Sequence, residues 1–437
     1  MALRALEPLE QFATDVILDR AAGRRAALLK PVLLGLATIY AGIMRIRAQF
    51  YHDAVLRRYA VGALVISVGN LTVGGTGKTP VVEKLARSLQ DAGRRVAILS
   101  RGYKSIPKPL LTRLADRLLP GRTPSPPRIV SDGKSVLLDS AQAGDEPFML
   151  ARNLPGVAVL VDSDRVKSAR HAIRHYRADT LLLDDGYQYL RLGDRFNLLL
   201  VDRQNPFGNR HVLPRGVLRE PPDALKRADL ILLTKCQSKD QPELEKQIRR
   251  HNRHAKILPC AHHPLHLEDM ITGETKPLSY LRGLRVGAVA GIAVPESFLE
   301  GLVKLGAEIV YQRSFADHHR FTVAEVENAL TRTRARRGLA LITTEKDSVR
   351  FPPFPPRDIP VLFLRVEINL LDDGSRFEDA VRDAIGILLR FQRRRPHRGR
   401  PTLTLLTPFY FPLPAPPALG LRRFQLQPDG FPTRQLR

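Results

Sequence analysis

Residues 64–89 read LVISVGNLTVGGTGKTPVVEKLARSL. The first six residues have the apolar character of a strand buried on both faces. A glycine-rich turn follows, then Gly77-Lys78-Thr79. After it Val81, Val82, Leu85, Ala86 and Leu89 take the spacing of one helical face. Strand, glycine turn, GKT and helix in that order make a phosphate-binding loop in its required context. Gly74, Gly75 and Gly77 permit positive φ and leave N–H groups free for phosphate oxygens. The helix N-terminus adds positive potential. Lys78 is placed to reach the β- and γ-phosphates, and Thr79 to bind Mg²⁺. Pro80 fits a first helical turn, whose N–H has no intrahelical partner. The strict pattern has glycine where Thr72 stands. The nucleotide cradle is therefore expected over Thr72, Val73, Gly74, Gly75, Thr76, Gly77, Lys78 and Thr79. Val73 replaces the signature lysine of dimeric partitioning-type ATPases, which argues against that class. The run Thr234-Lys235-Cys236-Gln237 lacks the aspartate of a guanine-reading [NT]-K-x-D, so ATP is preferred over GTP.

Outward from this loop, short Val/Ile/Leu runs alternate with helical stretches: RVAILS (95–100), VAVLVD (157–162), TLLLDD (180–185), NLLLVD (197–202) and LILLTK (230–235). Such alternation indicates a parallel sheet covered on both faces, with ligands beyond the carboxyl ends of its strands. A second set begins near 284, with LRVGAVAG (284–291), AEIVYQ (307–312), LALITT (339–344) and PVLFLR (360–365). The expected fold is α/β: two α/β/α lobes with mostly parallel sheets, the first P-loop NTPase-like, preceded by a membrane-associated helix. The expected organisation is an N-terminal helical segment (1–60), a P-loop lobe (61–240), a linker (241–283), a second lobe (284–390) and a basic, Pro-rich tail (391–437).

The chain has 437 residues, 43% apolar and 26% charged, which excludes a mainly disordered chain and a polytopic membrane protein. Lys and Arg outnumber Asp and Glu by 69 to 44, and the resulting +25 favours anionic partners. Much of that charge lies in the termini, and no DNA- or RNA-binding module is recognisable, so nucleic acid is not the expected partner. Two cysteines without C-x-x-C fit a reducing compartment. The acids Glu7, Glu10, Asp15 and Asp19 argue against a signal peptide. Residues 31–44, PVLLGLATIYAGIM, carry no charge and have basic flanks. A spanning helix needs about 20 apolar residues, so these fourteen suit a helix at an anionic bilayer surface, with spanning left open. Residues 391–437 hold nine prolines and nine arginines against one acid, and are expected to be poorly ordered and dispensable.

The candidate chemistry sits in loops. Asp184 and Asp185 end a buried strand, where a Mg²⁺–phosphate site needs carboxylates. GDEP (144–147) carries Asp145 and Glu146, DSDR (162–165) carries Arg165, LREPP (218–222) carries Arg219 and Glu220, and FADHHRF (315–321) carries Asp317, His318 and His319. Phosphoryl transfer needs an acceptor base, cations and Mg²⁺ ligands, and these loops hold those residue types. Spacing alone does not bring them together. The histidines at 251, 254, 262, 263 and 266 have no clean zinc spacing.

The motifs GNLTVGGTGKTP (69–80), SRGY (100–103), AGDEP (143–147), LDDGYQ (183–188), LPRGVLREP (213–221), KRADLILLTK (226–235), FADHHRFT (315–322) and TTEKD (343–347) occur in the order seen in tetraacyldisaccharide 4′-kinases. Over roughly residues 25–390 the chain resembles that family of lipid A kinases from Gram-negative bacteria. The resemblance implies ATP- and Mg²⁺-dependent phosphorylation of the 4′-hydroxyl of tetraacyldisaccharide 1-phosphate at the cytoplasmic face of the inner membrane. It implies an N-terminal membrane helix and a second lobe that closes over the nucleotide. Its catalytic Asp matches Asp145 and its partner His matches His318, with His319 as the neighbour to be distinguished. Its Walker-B-like acids match Asp184 and Asp185, followed by Gln188 on the nucleotide side. Arg165, Arg219 and Glu220 match active-site positions, the arginines as catalytic cations and Glu220 beside Thr79, Asp184 and Asp185 as a Mg²⁺ ligand. The usual DDGFQH appears as DDGYQY, so Tyr189 lacks the imidazole and receives no role. The insertion at 104–128 and the tail have no counterpart. The implied partners are ATP, an acylated disaccharide phosphate and a membrane surface, with no obligate protein partner evident. The competing reading is a membrane-tethered ATPase acting as a switch or motor.

Overall fold

Leu64, Ile66 and Val68 point to one side of strand β1 (Leu64–Asn70) and Val65 to the other, and all seven residues of the strand are buried. Such a strand needs helices on both faces. A computed structural model describes residues 12–103, 125–355 and 358–371, together with Asp379, Arg382 and Gly386. On one face of β1 lie the glycine-loop helix α2 (Lys78–Asp91) and α3 (Asp145–Asn153). On the other lies α4 (Arg165–Tyr176), through Val166, Ala169 and Ala172. The long helix α1 (Arg24–His52) reaches the same sheet through Ala37, Tyr40 and Ala41, beside α5 (Pro242–Arg249).

The remaining strands of the first region are β2 (Val96–Ser100), β3 (Arg128–Asp132), β4 (Ala158–Val161), β5 (Thr180–Asp184), β6 (Arg195–Asp202) and β7 (Leu230–Thr234). β1 pairs in parallel with β5 and with β6, which aligns Val68 with Asp184 and sets the glycine loop beside the acidic strand end. The second region contains β10 (Arg285–Ala290), α6 (Pro295–Lys304), β11 (Glu308–Ser314), α7 (Val323–Ala335), β12 (Ala340–Thr344) and β13 (Val361–Leu370). Phe298 and Leu302 of α6 cover one face, and Val326, Ala329 and Leu330 of α7 the other. With β8 (Lys256–Asp269) between the two sets, the order among the described residues is β11-β10-β12-β13-β8-β7-β6-β1-β5-β2-β4-β3, and β9 (Thr275–Lys276) lies beside β8. The expected α/β class, mostly parallel sheet and P-loop lobe are all present.

The polar stretch read as a linker contains α5 and the 14-residue strand β8 (Lys256–Asp269). β8 pairs in parallel with β7 over Lys256–Pro259 and antiparallel with β13 over Cys260–Asp269, so one sheet path runs through both regions. Its histidines and prolines hide it from a hydrophobicity reading. Pro264 is accommodated where the register with β13 shifts, the setting in which strands tolerate proline. The insertion at 104–128 lies outside the described residues up to 124, and its last residue opens β3. The tail at 391–437 lies wholly outside them.

α1 has 29 residues, about twice the apolar run that announces it. Leu28, Val32, Leu36, Ile39, Ile43, Ile46 and Phe50 are exposed and recur every three or four residues, which places them on one stripe. The opposite face is fastened to the first region. The Tyr40 hydroxyl donates to the Arg219 carbonyl (2.9 Å), Arg47 donates to the Gln188 carbonyl (3.0 Å), and Arg45 pairs with Asp223 (3.1 Å). Near its start Lys30 pairs with Asp19 (2.8 Å), whose carboxylate also holds Arg215 (2.8 Å). The Arg215 and Lys30 bonds keep the Asp19 carboxyl well below its ordinary range.

Candidate active site

The glycine loop leaves β1 at Asn70 and enters α2 through Gly77, which caps the helix at φ +82°. A Cβ there would lie 2.7 Å from His262 Nε2, so both the backbone conformation and the space demand glycine. Gly74 also has positive φ (+115°), and nothing within 4 Å crowds it, as an open anion cradle requires. Thr72 and Val73, expected in the cradle, are also held by the neighbouring segment. The Val73 N–H donates to the Val217 carbonyl (2.7 Å), and Arg219 N–H to the Leu71 carbonyl (2.7 Å). Thr72 bridges to Leu218. These contacts zip the LPRGVLREP segment onto the front of the glycine loop and take the Val73 donor away from phosphate. Thr76 and Thr79 are buried, and the Thr76 hydroxyl has no protein partner.

Lys78 is buried at the head of α2. Its ammonium reaches Asn70 Oδ1 (3.2 Å) and Asp185 Oδ1 (3.5 Å). Asp185 turns out of the strand at φ +51°, a left-handed conformation rare outside glycine and frequent at functional sites. Arg219 grips both of its oxygens (2.8 and 2.6 Å). Burial favours the neutral acid, but Lys78 and Arg219 outweigh it and hold Asp185 below its ordinary range. Asp184 is the opposite case. Burial, reinforced by Glu146 and Asp185, pushes its carboxyl well above the usual range. One oxygen accepts from Ser100 Oγ (3.0 Å), and the other is buried without a partner.

An orphaned buried carboxylate oxygen near a lysine and a second acid, with Thr79 next to that lysine in the chain, suits a hard divalent cation. Mg²⁺ with nucleotide needs only one or two carboxylates, the rest of its shell being phosphate and water. Thr79, Asp184 and Asp185 therefore fit Mg²⁺. Glu220, the fourth metal ligand expected from the sequence, is buried in an ion pair with Arg227, whose guanidinium also lies over the Tyr187 ring (4.7 Å). Gln188 braces the loop from behind, donating to the Asn70 carbonyl (2.9 Å).

The two regions meet at Asp145. Gly144, at φ +91°, lets α3 begin with Asp145 and Glu146, where the helix dipole favours acids. Asp145 Oδ2 lies 3.0 Å from His318 Nδ1 and 2.8 Å from Arg350 Nε. Burial raises the Asp145 pKa, while the His318 bond and the Arg350 charge lower it; the net shift is downward. His319 faces elsewhere: it bonds Glu325 (3.0 Å) and stacks on Phe315 (4.5 Å between ring centres). His318 is therefore the histidine that meets Asp145.

Arg350 is the residue that the motif reading missed. Its side chain is fully buried, and it donates to Asp145, to the Gly291 carbonyl (2.9 Å) and to Asp347 Oδ1 (3.0 Å). Its other terminal nitrogen lies 3.0 Å from His318 Nδ1. Asp347, the acid of TTEKD, also accepts from Gly291 N–H (3.0 Å) and Thr344 (2.7 Å). A signal was present, since TTEKD is a quoted motif to which no role is given and Arg350 follows it by three residues. A second link joins α2 to β13: Arg365 pairs with Glu83 and Glu345, and Asn153 donates to both acids (3.0 and 2.6 Å). Arg165, at the start of α4, is buried with its Nε unpartnered, and the charges of Asp184 and Asp185 act on it.

A family model described as tetraacyldisaccharide-1-P 4′-kinase matches residues 29–386. The tetraacyldisaccharide 4′-kinase of Anaeromyxobacter dehalogenans is 43% identical, across 74% of this chain and 81% of that protein. The enzyme of the same name from Geobacter sulfurreducens is 41% identical, across 80% and 92%. Among solved structures, LpxK from Aquifex aeolicus in complex with ATP superposes with a TM-score of 0.62 at 28% identity, covering 82% of this chain and 99% of that one. Sequence motifs, strand-end geometry and relatives of near-equal span agree, and the chain belongs to the tetraacyldisaccharide 4′-kinase family.

Proposed function

We propose that these strand ends transfer the γ-phosphate of ATP to the 4′-hydroxyl of tetraacyldisaccharide 1-phosphate, a step of lipid A biosynthesis, at the cytoplasmic face of the inner membrane. The observation that carries this reading is the meeting of Asp145 with His318 (3.0 Å) beside a complete phosphate loop. Backbone N–H groups of Gly74–Thr79 and the Lys78 ammonium hold the β- and γ-phosphates. Arg165 and Arg219 balance charge on the transferred group. Thr79, Asp184 and Asp185 hold Mg²⁺, which when bound neutralises phosphate charge. Asp145 and His318 orient the sugar hydroxyl and receive its proton.

The test is transfer of ³²P from γ-labelled ATP to tetraacyldisaccharide 1-phosphate in detergent micelles, with and without Mg²⁺. A Mg²⁺-dependent labelled lipid is expected. Hydrolysis of ATP without labelled lipid would favour the tethered ATPase.

Helix α1 places the enzyme on its substrate's surface. By length and composition it could cross a bilayer. Its inner face, however, is tied to the first region at Lys30, Tyr40, Arg45 and Arg47, while its apolar stripe faces outward. A helix tied along its length lies in the interface plane, and its basic residues suit anionic headgroups. The double variant Ile39→Asp/Ile43→Asp should weaken binding to vesicles containing phosphatidylglycerol by about a hundredfold or more, from the lost burial of two large side chains. Co-sedimentation reads this directly, and an unchanged bound fraction would remove the stripe from membrane contact.

A further inference from the structure

We propose that Tyr189 is a positioning residue for the transfer reaction, fixing the Arg165 guanidinium at the phosphate end of the site by holding the first turn of α4. This rests on the reading of Arg165 as a cation for the transferred phosphate.

Arg165 is a side chain that needs outside support. It is only 5% exposed, its Nε has no protein partner among the described residues, and its one hydrogen bond to them is a long one to the Ser163 carbonyl (3.4 Å). A buried arginine with idle donors suits an anionic ligand, but its long stem must be held in one rotamer to be useful. Tyr189 supplies that restraint in two ways. Its ring lies beneath the guanidinium, 5.0 Å from ring centre to Cζ, where the face of an aromatic attracts a cation. Its hydroxyl grips the helix start on both sides of Arg165. It donates to Asp164 Oδ1 (3.0 Å) and accepts from the Val166 N–H (3.3 Å). Asp164 is the N-cap of α4, accepting from the N–H groups of Val166 (3.0 Å) and Lys167 (3.4 Å). Arg165 is thus bracketed by two residues that share one phenolic oxygen.

Tyr189 is itself anchored. Its N–H donates to the Gly186 carbonyl (2.9 Å). Arg195 donates to the carbonyls of Gly186 (3.2 Å), Tyr187 (3.0 Å) and Tyr189. Arg191 secures the far oxygen of Asp164 (3.1 Å). The loop that carries Asp185 and Gln188 therefore also sets Arg165, so the acids and the cation of the phosphate end are registered by one segment. Burial and the Asp164 charge push the phenol up to about 12, which keeps it a donor to Asp164 throughout the neutral range.

The test is a double-mutant cycle in the ³²P transfer assay. Tyr189→Phe keeps the ring and removes the hydroxyl. It should lower kcat about tenfold, the scale of one lost hydrogen bond to a charged group, with KM for ATP changed about twofold at most. In an Arg165→Ala background the same change should cost nothing further, because the group it positions is gone. Asp164→Asn, which weakens the acceptor of the same hydroxyl, should show the same dependence on Arg165 and stands in if Tyr189→Phe fails to fold. Equal losses in both backgrounds would overturn the proposal and leave Arg165's own role intact. A wild-type kcat in Arg165→Ala alone would instead remove the reading of Arg165, and the proposal with it.

Discussion

Lys78→Ala is expected to reduce phosphoryl transfer by about a thousandfold or more, the scale of losing a preorganised cation at a transferring phosphate. The lysine stands between Asn70 Oδ1 (3.2 Å) and Asp185 Oδ1 (3.5 Å), so its ammonium is held in place before nucleotide arrives. That preorganisation is what makes the loss large. The fold should survive. Lys78 takes no part in the apolar cluster built by Val81, Val82, Leu85, Ala86 and Leu89, and Asp185 keeps both bonds to Arg219. Circular dichroism and thermal unfolding should therefore resemble those of the wild type while labelled lipid disappears. Near-normal turnover would remove the glycine loop from the reaction.

The parts of this site legible in the sequence are those whose meaning is local. A strand, a glycine turn and GKT lie within 26 consecutive residues, and each constrains the next. Asp184 and Asp185 end an apolar run, and a parallel sheet puts such ends beside the loop. What was not legible depends on partners far away in the chain. Asp145 and His318 are 173 positions apart, and Arg350 reaches Asp145 across 205. Val73 is an ordinary loop residue until Val217 takes its N–H. Glu220 carries the chemistry of a metal ligand, and only the fold shows Arg227 already on it. Tyr189 looked like a lost imidazole because a motif compares residue types, whereas its work is done by a phenol oxygen shared between Asp164 and Val166. β8 escaped because strands are read by apolar alternation, and KILPCAHHPLHLED puts histidine and proline where that alternation should be.

Asp145→Asn is expected to lower kcat by about a thousandfold, within the range contributed by a general base, with little change in ATP affinity. The amide keeps the size of the carboxylate but loses the charge that both His318 and Arg350 face. The downward shift of Asp145 means that, in the wild type, activity loss from protonating this group falls below the ordinary carboxylate range. The sign for stability is the same: a group whose folded pKa is depressed stabilises the fold above its unfolded value and loses that contribution as pH falls through the folded one. Arg350 separates support from chemistry at this pair. Arg350→Met would leave the Asp347 and Asp145 carboxylates without their shared cation, and breaking a buried ion pair from one side costs about 3–5 kcal/mol. That variant should unfold at markedly lower temperature. Asp145→Asn gives up the stabilisation of a depressed carboxylate and should lower that temperature by less, because Arg350 keeps Asp347 and the Gly291 carbonyl as partners. Thermal unfolding beside single-turnover transfer distinguishes the two. If Asp145→Asn kept its kcat, the Asp145–His318 contact would be a structural ion pair like Arg365–Glu83, and the acceptor base would have to be sought among other groups at the same strand ends.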